Sequence, residues 1–404
     1  MSEWRESTWG DEISLEYGKG IRNYADANAP YRVYGSNGPV GWTSEPLAQG
    51  PGIILGRKGA YRGVRISREP FFVIDTAYYV VPKSDLDIRW LYYAIIHHKL
   101  GEIDDGSPIP STTRSAVYVR ELSVPQKSEQ QAIASILSAL DDKIELNRQM
   151  NDTLEAMARA VFKDWFVDFG PTRAKMDGRA PYLAPDIWSL FPDRLDDEGK
   201  PDGWRAGKLG DVAQQVGQTV SPETLDPNTP YIGLEHMPRR SIALSDWEGA
   251  GKVSSGKLAF RQGDFLFGKL RPYFHKVGIA PLDGICSTDI VVLNARKQSA
   301  AAFVLACISQ DEFVAFTDRT SDGTKMPRTS WSRMERYGVC LPDGAALEAF
   351  NALANPMLDR IVANIHESRT LAATRDLLLP KLMSGEVRVS EASAAVEHRL
   401  AEAR

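Results

Sequence analysis

The sequence predicts an α+β protein. Two similar mixed α/β domains are separated by two long antiparallel helices forming a coiled coil, so that the chain is a pseudo-twofold internal repeat. Three observations carry this. Glu129–Phe169 contains neither Pro nor Gly and repeats seam residues at alternating spacings of four and three. A second, less regular seam occupies Leu347–Met383, and the segments ahead of the two seams repeat one another in order.

In this reading residues 1–128 are the first domain, 129–169 the first spacer helix and 170–203 a linker; 204–342 are the second domain, 343–388 the second spacer helix and 389–404 a loose tail. In the first domain GPGIILGRKG and PFFVIDTAYYVVP read as buried strands between turns. Arg89–Lys99 reads as a helix with His97 toward the core and His98 toward solvent. Gly106–Thr113 is a turn-rich loop, and VYVRELSVP is a strand leading to the long helix.

The first seam runs Ile133, Leu137, Leu140, Ile144, Asn147, Asn151, Leu154, Ala158, Val161, Trp165, with Ser128 and Gln131 expected to cap it. At 1.5 Å per residue such a helix is about 60 Å long, more than a small domain needs to cover its core. Two seam positions are asparagine, which costs stability but fixes register and partner, so a defined partner helix is expected. Leu347, Phe350, Ala354, Leu358, Ile361, Ile365, Ala372, Leu378 and Leu382 supply it, with one wider gap. Pro356 is expected either to kink that helix or, with Asn355 as cap, to begin its main segment. The linker is rich in Pro, Gly and charge, although Trp188 and Phe191 imply that it packs on something.

The repeat is visible block by block. GDFLFGKLRPYFHKVGIA follows PGIILGRKGAYRGVRIS in type, GICSTDIVVL follows VIDTAYYVV, and FVLACISQDEF answers YYAIIHHKL. Gly323–Pro342 aligns without a gap on Gly106–Pro125, placing Pro327 on Pro110. Ala300–Ile308 reads as a buried helix.

At 404 residues, two or three domains are expected. Cys286, Cys307 and Cys340 have neither metal-ligand spacing nor an even-numbered framework, which fits a reducing compartment. MSEWRESTWGDE is unlike a signal peptide and no apolar run reaches the roughly 18 residues a bilayer needs, so the expected address is the cytoplasm, without a membrane partner. The net charge of −5 excludes a protein coated in positive potential. Charge is nevertheless uneven. Arg57, Lys58, Arg62, Arg65 and Arg68 stand together without an acid, and a nucleic-acid binder needs only a local basic face.

Catalytic motifs are missing. GKVSSGKL places Leu258 where a phosphate-binding loop requires Ser or Thr. His97, His98, His236, His275, His366 and His398 have no zinc spacing, so no metal is expected. Asp141, Asp142 and Lys143 superficially resemble a nuclease motif but lie on the long helix, where such carboxylates are ordinary solvated charges. Asn355-Pro356-Met357-Leu358 fails the last two positions of an amino-methyltransferase motif. No catalytic residue is assigned. What remains is a set of basic and aromatic loop residues able to grip phosphates or read base edges. They are Arg57, Lys58, Tyr61, Arg62, Arg65, Ser111, Thr112 and Arg114 in the first domain, and Lys269, Arg271, Tyr273, His275, Lys276, Lys325, Arg328 and Thr329 in the second.

Several blocks then resemble a known family. They are Glu129-Gln130 with Ile133, Asp141-Asp142-Lys143-Ile144-Glu145-Leu146-Asn147, Phe162-Lys163 with Trp165-Phe166-Val167, and Leu379-Pro380-Lys381-Leu382-Met383-Ser384-Gly385. Through them the chain resembles the specificity subunit of type I restriction-modification systems over essentially its whole length. Leu347-Glu348 replaces the clearer Glu-Gln start of the first helix, leaving the start of the second helix open. The resemblance implies a non-catalytic subunit whose two target-recognition domains each read one half of a bipartite sequence in double-stranded DNA. It further implies two modification subunits that dock on the helices and methylate adenine with S-adenosylmethionine. Two restriction subunits using ATP and Mg would join them, and this chain would hold no cofactor of its own. A separator of about 60 Å corresponds to at most about 18 base pairs, so half-site spacing is expected to follow helix length. Two other classes fit less of the sequence: a stand-alone methyltransferase or nuclease, and a coiled-coil assembly scaffold.

Overall fold

The computed structural model describes residues 4–402 except 26, 27, 105, 107 and 324, and the side chains of 395, 398 and 400–402 lie outside the description. Ser107 and Thr324 of the predicted loops, and the His398 side chain, are therefore outside the described residues. The chain divides into two compact units, Met1–Lys143 with Leu371–Arg404, and Ile144–Thr370.

The first unit contains β1 (Arg5–Thr8), α1 (Trp9–Glu12), β2 (Ile13–Tyr17), β3 (Tyr31–Gly35), β4 (Gly38–Thr43), β5 (Gly52–Gly56), β6 (Val64–Ser67), β7 (Phe71–Val73), β8 (Ala77–Pro82), α2 (Ile88–His97), α3 (Arg114–Tyr118), β9 (Glu121–Val124) and the start of α4 (Lys127–Phe166). An antiparallel sheet has the order β2-β8-β5-β6, a second has β4-β3-β7 with β3 and β7 parallel, and β1 pairs with β9. Every residue of β5 is buried, which explains its unbroken apolar run. VYVRELSVP is not one strand. Thr113 Oγ1 accepts the Ala116 N–H and caps α3, so the ribbon with β1 begins only at Glu121. His97 and His98 are both half-buried, because the His98 ring packs on Trp9 at 5.5 Å as well as on His97.

Between α4 and the second domain lie α5 (Gly170–Met176) and α6 (Pro185–Ser189). The predicted linker is therefore folded: Thr172, Ala174 and Phe191 are buried, and Phe191 meets Trp165 edge-on at 5.1 Å. The second domain has β10 (Arg205–Lys208), α7 (Leu209–Val212), β11 (Ala213–Gln215), β12 (Gln218–Val220), β13 (Pro230–Ile232), β14 (Glu248–Gly249), β15 (Lys257–Phe260), β16 (Phe265–Gly268), β17 (Val277–Ile279), β18 (Gly284–Cys286), β19 (Ile290–Ala295), α8 (Ala301–Ile308), α9 (Asp311–Arg319), α10 (Trp331–Met334) and β20 (Gly338–Leu341). Then come α11 (Gly344–Met383) and, in the first unit, α12 (Val389–Glu402). Its sheets repeat the first domain: β11-β19-β16-β17 matches β2-β8-β5-β6, β10 pairs with β20, and β13 lies parallel to β18 beside β14. β12 and β15 are additions. α8 is buried throughout.

Both long helices have 40 residues and pair antiparallel within each unit. In the second unit Asn364 Nδ2 donates to Asn151 Oδ1 at 2.8 Å, and Asn147 Nδ2 donates to Glu367 Oε2 at 3.0 Å. In the first, Arg375 Nη1 donates to Asp141 Oδ1 at 2.6 Å. Ile133, Leu137, Leu140, Asn147, Asn151, Leu358, Ile361 and Ile365 are buried, while Ile144 and Leu154 are half-buried. Leu371, rather than Ala372, closes the gap in the second seam. Ser128 does not cap α4: the Gln126 carbonyl accepts the Glu129 and Gln130 N–H groups, each at 2.9 Å. The C-terminal end is also earlier than predicted, since Phe169 sits at φ 54° and ends helical geometry. Pro356 neither starts nor ends α11. Asp343 Oδ1 caps the helix by accepting the Ala346 N–H at 2.9 Å, and burial of Phe350, Ala354 and Leu358 on both sides of the proline carries the helix through.

Two outcomes are expected. Asn364→Ala leaves buried Asn151 unpaired and should cost about 2 kcal/mol in denaturant unfolding, whereas Asn151→Leu with Asn364→Leu should recover most of that loss. Glu12 is buried and accepts from Arg5 at 2.7 Å, Ser7 at 2.5 Å and Ser84, which together hold its carboxyl down at about 2. A depressed carboxylate stabilises above its ordinary range and loses that contribution on acidification. The stability gap between the native chain and Glu12→Gln should therefore be about 2 kcal/mol at pH 7 and close between pH 5 and 2.

Candidate nucleic-acid interface

Two loops predicted as contacts meet through their backbones. After β5, Gly59 N–H donates to the Pro110 carbonyl and Thr112 N–H to the Arg57 carbonyl, both at 2.9 Å, with Lys58 bridged to Ser111. After β16, Arg271 N–H donates to the Pro327 carbonyl at 2.7 Å and Thr329 N–H to the Lys269 carbonyl at 2.9 Å, with Leu270 bridged to Arg328. Each domain thus clasps the loop after its central strand to the loop before its last short helix. A proline has no N–H, so Pro110 and Pro327 serve as acceptors only.

On the first clasp two guanidinium groups approach the Tyr17 ring, Arg114 at 4.2 Å and Arg57 at 5.1 Å. Arg57 Nε and Nη2 also donate to the Asp75 carbonyl at 3.2 and 2.8 Å, and Arg114 lies 3.5 Å from Glu16. Tyr61 is 78% exposed and Lys58 is exposed. Together these form a basic, aromatic surface on an otherwise acidic chain. On the second clasp Arg328 pairs with Asp289 at 2.9 Å, Lys325 and Tyr273 are exposed, and Lys269 and Arg271 are half-buried. Tyr17 and Arg239, which stacks on Phe274 at 4.0 Å, were not among the sequence candidates. The adjacent Arg239-Arg240 pair was a usable signal; Tyr17, at the end of a strand, offered none.

Other predicted contacts are occupied elsewhere. Thr112 and Thr329 are buried, with Thr112 Oγ1 donating to the Ile103 carbonyl at 3.1 Å, so they frame the clasps from inside. His275 is also buried, its Nε2 3.0 Å from the Ser309 carbonyl and its Nδ1 3.2 Å from Asp311, and burial pulls its pKa down. These three side chains are corrections to the contact set. Lys276 donates to the Leu234 carbonyl and its pKa is lowered by burial. Arg62 spends its whole guanidinium on carbonyls: Gly101 and Gly59 at 2.8 Å and Ile103 at 3.1 Å. Arg65 lines a cleft between β6, α2 and the helix pair.

Asp141 is not an ordinary solvated charge. It accepts from Tyr93 Oη at 2.7 Å and from Arg375, while Asp142 is exposed and pairs with Arg68. Burial, then Asp141, pushes the Tyr93 phenol above its usual range. In GKVSSGKL, Lys257 Nζ donates to Ser255 Oγ at 2.8 Å and to its carbonyl at 3.0 Å, in place of a phosphate. Among the described residues Glu235, His236 and Glu248 bring possible ligand atoms within 4.8 Å of one another. However, Gly233 N–H donates to His236 Nδ1 at 2.9 Å, so the neutral ring carries its proton on Nε2 and has no lone pair left for a metal.

Residues 21–156 match the family model described as the type I restriction modification DNA specificity domain. The chain is similar to that family over its first domain and the start of α4. The match ends within α4, and the second domain repeats the topology of the first. The type I restriction enzyme MjaIX specificity subunit of Methanocaldococcus jannaschii is 25% identical over 402 residues, covering 95% of this chain and 88% of the relative. The HindI specificity subunit of Haemophilus influenzae is 24% identical over 376 residues, covering 78% and 81%. In fold the chain is similar to the crystal structure of a type I S subunit from M. genitalium, with a TM-score of 0.57 at 15% identity, covering 94% and 96% of the two chains.

The structural role of Arg62 is testable apart from any ligand. Arg62→Met should cost about 1–2 kcal/mol in thermal or denaturant unfolding, because three partly buried bonds to carbonyls lose their charged donor. A variant as stable as the native chain would return Arg62 to the surface candidates.

Proposed function

We propose that the chain is the non-catalytic DNA-recognition subunit of a type I restriction-modification complex, reading a bipartite target with one half-site per domain. The duplicated clasp carries this reading. A backbone frame occurs twice at equivalent positions, and each copy presents a different set of basic and aromatic side chains. A bipartite target of two dissimilar halves calls for that combination, since phosphate-gripping cations position the protein while variable side chains read bases. The paired helices would carry the modification subunits, which bring S-adenosylmethionine and flip the target adenine. Restriction subunits would bring ATP and Mg. Neither group is assigned residues in this chain.

The test uses the chain assembled with its modification subunits. Lys58→Ala and Lys325→Ala, both exposed, should each lower the slope of log affinity against log salt by about 0.9, one released counterion apiece. Slopes unchanged for both variants would overturn the assignment of the clasps to DNA.

A further inference from the structure

The two domains meet the helix pair through equivalent clefts, and only one is filled. An offset of 217 residues, the one that relates Pro110 to Pro327, also relates Asp141 to Leu358, Arg375 to Ala158 and Asp376 to Arg159 when the two helices exchange roles. The first member of each pair lines a cleft in the first unit, Asp141, Arg375 and Asp376, and the second member lines one in the second, Leu358, Ala158 and Arg159. α2 and α8 with the residues just after them supply matching walls, Tyr92, Ile95, Ile96 and Lys99 against Ala302, Leu305, Ala306 and Ser309.

In the second unit the cavity is reduced to about 10 Å³ because an extended segment of the same domain lies in it. Ile242 is buried there, its N–H donates to the buried Glu155 carboxylate at 3.0 Å, and Ser241 Oγ donates to the same carboxylate at 3.2 Å. The segment also covers the sheet edge: the Ile242 carbonyl accepts the Ile279 N–H at 3.1 Å, and Ala243 bridges Ile279 in parallel. In the first unit the cleft has a volume of about 350 Å³, and among the described residues β6 pairs only with β5. Its walls mix apolar and charged side chains. Arg375 is held by Asp141 and Asp376, and Arg62 by carbonyls, but among the described residues Arg65 donates only to the Val64 carbonyl at 3.2 Å, and Lys99 lies 3.6 Å from Glu102.

We infer that the open cleft between β6, α2 and the helix pair receives an extended, carboxylate-bearing polypeptide segment of a partner subunit, laid along β6 as the Ser241–Ala243 segment lies along β17. The equivalent cleft identifies the occupant as extended chain, and the open strand edge supplies main-chain hydrogen bonds. Arg65 and Lys99 set its charge. This rests on the proposed function in one respect: the partner is a modification subunit.

The test places a photo-cross-linking residue in the cleft, Ile96→p-benzoylphenylalanine, in the full chain assembled with its modification subunits and without DNA. The same label at exposed Glu102 guards against misfolding at Ile96. Both should cross-link to one short acidic segment of the modification subunit, and Lys99→Glu should reduce the yield roughly five- to tenfold at limiting subunit concentration. A complex that forms and methylates DNA but gives no peptide cross-link at either position overturns the inference alone. So does a cross-link confined to DNA once DNA is added. A chain that fails to assemble with modification subunits overturns the proposed function, and this inference with it.

Discussion

The buried polar contacts between α4 and α11 are the constraint on which the rest depends. Leucine and isoleucine pack against one another at many relative positions, so an apolar seam by itself leaves two helices free to slide by a turn. Asn151 with Asn364, Asn147 with Glu367, and Asp141 with Arg375 remove that freedom, because a slip would strand each group without a partner in a low-dielectric environment. All three pairs agree on one antiparallel register. Each lies within a single compact unit, so each unit specifies the pairing for itself.

The two domains attach to the helices by different chemistry on the same plan. In the first unit the attachment is polar: Gln130 accepts the Asp87 N–H at 2.8 Å and donates to the Pro125 carbonyl, while Asp141 takes the Tyr93 hydroxyl. In the second it is aromatic, with Phe162, Trp165 and Phe166 around Phe350 and with Phe303 against Phe162 and Phe166. Dispersion and apolar burial need no directional match, and the buried Glu155 carboxylate is tolerated among them because the Ile242 N–H satisfies it. The polar attachment is directional and leaves space that water can enter.

At the clasps the division of labour is reversed, and the backbone does the specifying. The clasp bonds run between N–H and C=O groups, so they constrain only the positions that must donate. Arg57 and Lys269, Lys58 and Leu270, Gly59 and Arg271, and Ser111 and Arg328 occupy equivalent places with different side chains. A frame indifferent to side-chain identity can present unlike surfaces in its two copies, which is what reading two unlike half-sites requires.

Periodicity alone located both long helices, and block similarity alone located the repeat, because each signal is summed over many residues and a local conflict hardly weakens it. Their ends were not legible in the same way. Gln126 and Asp343 cap through local bonds that residue type does not single out from other candidates, and the passage of α11 through Pro356 depends on packing against residues far away in sequence. The same distinction divides the candidate site. That basic and aromatic residues gather in four loops is written in the order of the chain, whereas which of them reach solvent is not. Arg62, Thr112, His275 and Thr329 read as surface residues by type, yet tertiary contacts place three of them inside and surround the guanidinium of the other with carbonyls. Residue type determines what a side chain can bond, and only the fold determines which partner arrives first.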